Sequence, residues 1–90
     1  MKMTPYEIAF KPSVEKDLRT ISAKVRARIL SRIAGLREEP IPRQAIKLAG
    51  GHAWYRLRVG DYRIVYGVDF ATRQVVVQYV RHRRDAYRRL

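Results

Sequence analysis

Through the segment Tyr55 to Tyr66, YRLRVGDYRIVY, apolar residues alternate with arginine in two runs of period two, parted by Gly60 and Asp61. Such alternation marks a half-buried strand, and a Gly-Asp step between two such runs predicts a β-hairpin. A two-residue loop pairs Val59 with Tyr62 and sets Arg58 across from Arg63; a four-residue loop keeps the same pairing. Arg56, Arg58 and Arg63 then share one face, with no carboxylate on it.

The period changes upstream of the hairpin. Tyr6 to Phe10 alternates as a short first strand, with Ile8 and Phe10 on one face. Pro12 suits the first turn of a helix running to about Thr20, in which Val14 and Leu18 stand four apart. Ser22 is placed to cap a second helix, where Val25, Ile29, Ile33 and Leu36 recur at helical spacing. Its other face is Lys24, Arg26, Arg28, Arg32 and Arg37. This helix must stop by Glu39, because Pro40 and Pro42 cannot continue it.

Ile41 to His52 reads as a connector ending in Gly50 and Gly51. Three strand-like runs follow: Ala53 to Val59, Tyr62 to Val68 and Gln74 to Arg81, the last two joined by a longer turn around Asp69 to Arg73. The closing residues HRRDAYRRL either form a short helix capped near Asp85 or fray. Two helices and a meander, with one strand in front, predict an α+β fold of one domain over residues 1–90. Both N-terminal helices should pack on one face of a small, mainly antiparallel sheet. Strand parity gives that face Tyr55, Leu57, Val59, Ile64, Tyr66, Val68, Val75, Val77 and Tyr79, and the opposite face Trp54, Arg56, Arg58, Arg63, Gln78 and His82.

Charge sharpens the picture. Twenty Lys and Arg against eight Asp and Glu leave a net +12, and fifteen of the twenty are arginine, the side chain suited to bidentate phosphate recognition. Polyanions are the expected partners. Two guanidinium groups about 6 Å apart, at an effective dielectric of about 20, repel by about 3 kcal/mol, so an anion is the natural guest of the arginine face. A membrane surface is a weaker fit, since the basic helix from Ser22 uses its apolar stripe for the core. The chain has no cysteine and no N-terminal apolar run of signal-peptide or membrane-span type, which points to the cytoplasm.

The two histidines are far apart and the carboxylates are not clustered, so no metal ligand set is expected, and no cofactor. Phosphate-cradling glycine loops and a serine-nucleophile elbow are absent as well. Any catalysis must then be built from Arg, His and Tyr. RNA carries its own nucleophile in the 2′-hydroxyl, so cleavage needs alignment, proton exchange and stabilisation of a charged phosphorane. Arginine supplies the last of these, and the lack of an internal nucleophile in DNA tilts the reading toward RNA. His82, with open-face parity at the end of the last strand, is a candidate for proton exchange. Trp54 is suited either to stacking on a base or to anchoring the sheet edge. In the tail Arg83, Arg84, Arg88 and Arg89 surround Tyr87, a basic segment fitted to phosphate contact and base stacking.

With IKLAGG before the hairpin, GDYRIVY within it and HRRDAY near the end, the chain resembles the RelE/ParE toxin superfamily, on its RelE-like side. That resemblance implies an mRNA interferase that enters the ribosomal A site and cuts the messenger to a 2′,3′-cyclic phosphate and a 5′-hydroxyl. It also implies a cognate antitoxin that wraps and silences the toxin, ribosomal RNA as a docking partner, and operator DNA contacted only through the antitoxin complex. Carried over by motif, Arg63 would stabilise the scissile phosphate, Arg83 would be a phosphate ligand or general acid, and Tyr87 would stack on or orient a base. Arg56 and Arg58 would contact phosphate and assist deprotonation, and Lys47 would meet ribosomal RNA. Positions that are often lysine in the family are arginine here, and arginine stays protonated, which makes His82 a candidate base. The spacing from Arg83 to Tyr87 is shorter than the family's. Two other readings compete: a ParE-like toxin that inhibits DNA gyrase without cutting RNA, and a non-catalytic RNA-binding module.

Overall fold

The computed structural model describes residues 4–49 and 53–84. Tyr87, His52, Gly50, Gly51, Asp85, Arg88 and Arg89 lie outside the described residues, so the expectations for the tail and the connector's end are not addressed by it. The chain runs β1 (Glu7–Phe10), α1 (Pro12–Arg19), α2 (Ala23–Gly35), β2 (Ile46–Lys47), β3 (Trp54–Val59), β4 (Tyr62–Asp69) and β5 (Gln74–His82). The strands form one sheet in the order β1-β5-β4-β3-β2, in which β1 runs parallel to β5 and the other neighbours are antiparallel. This is the α+β arrangement expected from the sequence.

Local chemistry accounts for the boundaries. Pro12 occupies the first turn of α1, where its missing N–H costs nothing. The Ser22 hydroxyl caps α2 by accepting the Val25 N–H at 3.4 Å. α2 ends at Gly35, four residues short of the bound set by Glu39. The chain turns there because the Arg37 carbonyl is taken by the Tyr6 N–H at 2.8 Å, which ties the helix exit to the start of the sheet. At the hairpin Gly60 adopts φ 58°, a conformation open to glycine at little cost, and Val59 pairs with Tyr62 as the sequence predicts.

The core joins Val14 and Ile21 with Ile29, Ile33 and Leu36 of the second helical segment to Tyr55, Leu57, Val59, Ile64, Tyr66, Val68, Val75, Val77 and Val80 of the sheet. Tyr66 is fully buried and donates its hydroxyl to the Pro40 carbonyl at 2.8 Å. Burial, with Tyr55 beside it, pushes its phenol up to about 12.

Two features depart from the expected pattern. Ile46 and Lys47, read as connector, form an edge strand against Arg56 and Tyr55. Two residues carry no period, so nothing in the hydrophobic pattern marked them. The larger departure is in β5. Val65 pairs with Tyr79 and Tyr66 with Val77, leaving Gln78 as an extra residue without a cross-strand partner. This β-bulge reverses the parity of everything after it. Val80 turns inward, 2% exposed, while Tyr79 leaves the core face assigned to it and His82 leaves the open one. β1 has already ended by then, with Phe10 opposite Val77, and α1 takes over its role: Asp17 accepts the Val80 N–H at 3.1 Å.

Candidate functional site

The face of the sheet away from the helices is laid out in rows across β3, β4 and β5. Trp54, Gly67 and Val76 form one row; Arg56, Val65 and Tyr79 the next; Arg58, Arg63 and Arg81 the third. Val65, though 4% exposed, does not belong to the helix-side core cluster, as its place in the second row requires. Beyond the third row the ladder continues by one hydrogen bond, from the Arg83 N–H to the Asp61 carbonyl at 2.7 Å, which fixes the start of the tail beside the hairpin turn.

Arg58 and Arg63 thus face each other as the turn chemistry required, and the bulge adds a third arginine, Arg81, that an unbroken alternation along β5 would put on the opposite side. Like charges directly opposite one another destabilise a sheet, and here three stand in line. The outer two relieve the repulsion by leaning apart. Arg58 donates its Nε to the Gly60 carbonyl at 2.9 Å, toward the turn, whereas the Arg81 guanidinium lies 4.5 Å from the Tyr79 ring centroid, back along β5. Arg63 between them is half-buried. Among the described residues the ion pair is Arg19 with Glu15, on the surface of α1 far along the chain, and no carboxylate is bridged to Arg56, Arg58 or Arg81. Arg58 also reaches an open cleft of about 520 Å³ shared with Arg28 and Arg32 of α2.

The other named residues fall into place around this row, or away from it. Trp54 is half-buried on the same face, two rows from Arg58. Arg83 and Arg84 are exposed just past the end of β5. Lys47 pairs with Tyr55, so it shares the helix-covered side and stands apart from the arginines. His82 pairs with Tyr62 on that same side, which corrects its open-face placement: the bulge at Gln78 has turned it over. Its ring meets Tyr62 edge-on, with centroids 5.2 Å apart at 87°, and its Nδ1 accepts the Arg84 N–H at 3.2 Å. Sequence reasoning missed Arg81 and Tyr79 as members of the open face. The trace was there: core valines at 75 and 77 are followed by the next at 80, a step of three where a regular strand takes two.

An arginine row on the sheet face opposite the helices, in a two-helix, five-stranded α+β frame, invites comparison with known proteins. The family model of the ParE toxin of type II toxin–antitoxin systems, parDE, matches residues 8–87. The chain belongs to this toxin family. It is thereby a toxin of a type II toxin–antitoxin system, within the RelE/ParE superfamily. Among solved structures it is similar to a chain of the archaeal RelE–RelB complex from Pyrococcus horikoshii, at 31% identity over 90% of this chain and 97% of that one, with a TM-score of 0.80. The toxin–antitoxin complex RelBE2 from Mycobacterium tuberculosis contains a chain at 26% identity, covering 87% of this toxin and 98% of its own length, TM-score 0.76. The intact RelBE complex of E. coli gives 27% identity, 83% and 93% coverage, and a TM-score of 0.72. No curated protein sequence matches significantly.

Proposed function

We propose that this toxin is a ribosome-dependent endoribonuclease that cuts messenger RNA at the A site. The observation that carries the reading is the row Arg58, Arg63 and Arg81 on the sheet face opposite the helices. A phosphodiester drawn onto that row meets guanidinium groups from three strands, and the repulsion that splays Arg58 and Arg81 is relieved when an anion sits between them. In the reaction the 2′-oxygen bonds to phosphorus while the bond from phosphorus to the 5′-oxygen breaks. The 2′-hydroxyl proton leaves to a base, and a proton is delivered to the departing 5′-oxygen. Arginine stabilises the charge on the phosphorane without exchanging a proton. Arg83, at the turn end of the row, is a further phosphate ligand that hydrogen-bonds the leaving oxygen, whose proton comes from water, and Arg56 and Arg84 extend the phosphate track. His82 can serve as the base only if it rotates from the Tyr62 edge, and Tyr87 is assigned to the substrate base by motif alone. Trp54 on the same face and Lys47 on the other side are proposed contacts to RNA, Lys47 to ribosomal RNA.

The partners follow from the relatives. Those structures are complexes of a toxin with its antitoxin, and a cognate antitoxin is proposed here too, with operator DNA met only through that complex and a cytoplasmic site of action. One observation favours a second reading: the matching family model is that of ParE, so a toxin that blocks DNA gyrase without cleaving RNA competes.

Primer extension on translated message, run beside a gyrase supercoiling assay, separates the two. The nuclease reading expects cuts within ribosome-bound message that fall by at least about a hundredfold in Arg63→Ala, from loss of a charge-stabilising donor, while supercoiling proceeds. Intact message with gyrase inhibited would hand the function to the second reading.

A further inference from the structure

We infer that Arg81 and Tyr79 together form a stacking platform for one unpaired nucleobase of the strand whose phosphate the arginine row holds. The inference rests on the reading of this face as the one that binds RNA, and assigns to it a base subsite that the motif likeness does not include. Three observations carry it. First, the bulge at Gln78 interrupts the ladder between β4 and β5, and its consequence for the open face is to deliver both Tyr79 and Arg81 there. Second, the Arg81 guanidinium lies over the Tyr79 ring, 4.5 Å from its centroid, so the head group is already drawn to the aromatic face before any ligand arrives. Third, among the described residues the Arg81 side chain makes no hydrogen bond or ion pair, which leaves its donors uncommitted.

Position makes the platform useful. Arg81 belongs to the phosphate row and Tyr79 to the row beside it, about 7 Å further along the strand. That is about the reach from a phosphate to the base of the same nucleotide. Bases of single-stranded RNA stack on guanidinium planes as readily as on aromatic rings, and the Tyr79 backing removes part of the entropy cost of ordering a long side chain. Stacking of this kind reads the presence of a base more than its identity, in keeping with a message whose sequence changes from codon to codon.

The test uses the full-length toxin and short 2′-O-methyl RNA oligonucleotides, which bind but cannot be cut, with either a normal base or an abasic residue at one position. Wild type should prefer the base-containing strand by about tenfold. Arg81→Lys keeps the charge and removes the plane; it should lose most of that preference with its salt dependence unchanged. Tyr79→Leu should lower the preference as well, and Arg81→Lys serves if the leucine variant folds poorly. Equal preference in wild type and Arg81→Lys, or no preference in wild type, overturns the platform. Primer extension on translated message, run on the same proteins, keeps the two claims apart. Cutting without a base preference rejects the platform alone, and a base preference without cutting rejects the nuclease alone.

Discussion

Arg58 and Arg81 flank Arg63 in one row across three strands, yet their guanidinium groups turn opposite ways, Arg58 to the Gly60 carbonyl and Arg81 to the Tyr79 ring. Folding has placed like charges side by side and then drawn two of them apart. Removing one should therefore help the fold and harm binding. Arg58→Ser is expected to raise stability in urea by up to about 0.5 kcal/mol, while lowering RNA affinity and reducing the slope of log affinity against log salt by about one. An unchanged salt slope would show that Arg58 touches no phosphate.

The bulge decides which side chains reach that row. Deleting Gln78, the residue without a cross-strand partner, would restore a regular alternation that keeps Tyr79 and Arg81 on the open face and Val80 in the core. No arginine is buried and no core valine exposed by it; what goes is the local twist that the extra residue adds. The deletion variant is expected to fold cooperatively and to lose at most about 2 kcal/mol. Denaturant unfolding measures this, and a variant that no longer folds cooperatively would mean that the strand depends on the extra residue itself.

What the sequence revealed follows the same division. The hairpin, the Arg58–Arg63 pairing and the Ser22 cap were legible because each depends on residues adjacent in the chain: a glycine that accepts positive φ, a strict period, a hydroxyl ahead of a helical run. The placement of Tyr79 and His82 was misread, and Arg81 was overlooked, because parity was carried through Gln78 without a break. A bulge is stabilised by what lies across from it, here Asp17 of α1 and the early end of β1, and neither is local to β5. The two-residue β2, which puts Lys47 on the helix side, is likewise set by the strand it pairs with.

Tyr66 gives the fold an alkaline limit. Its phenol is pushed up to about 12, from an ordinary 10.0, by burial and by Tyr55 next to it. A folded pKa above the unfolded one means that the native state holds its proton longer, so the stabilisation is complete below pH 10.0 and is lost as pH rises toward about 12. The loss should approach about 2 kcal/mol over that window. In Tyr66→Phe this slope should disappear, at a constant cost of about 1 kcal/mol for the hydrogen bond to Pro40. Urea midpoints measured from pH 9 to pH 12 check both effects, with the other tyrosines contributing equally to wild type and variant. A slope that survives in the phenylalanine variant would place the alkaline limit elsewhere.

Asp17 holds the bulged end of β5, and with it the arginine row, to α1. β1 stops at Phe10 opposite Val77, which leaves the Val80 N–H facing outward from the sheet edge just where the strand is interrupted. The Asp17 carboxylate accepts that N–H at 3.1 Å. Without an acceptor this partly buried donor is left unsatisfied, so Asp17→Ala should cost about 2 kcal/mol. Asp17→Asn keeps an acceptor oxygen and loses only the charge assistance, so its cost should be about half as large. Because Val80 stands one residue from Arg81, the alanine variant should also weaken RNA binding more than its global stability loss explains, and amide exchange at Val80 should quicken well before the protein unfolds. If the alanine and asparagine variants were equally stable and exchanged alike, α1 would have no part in positioning the row.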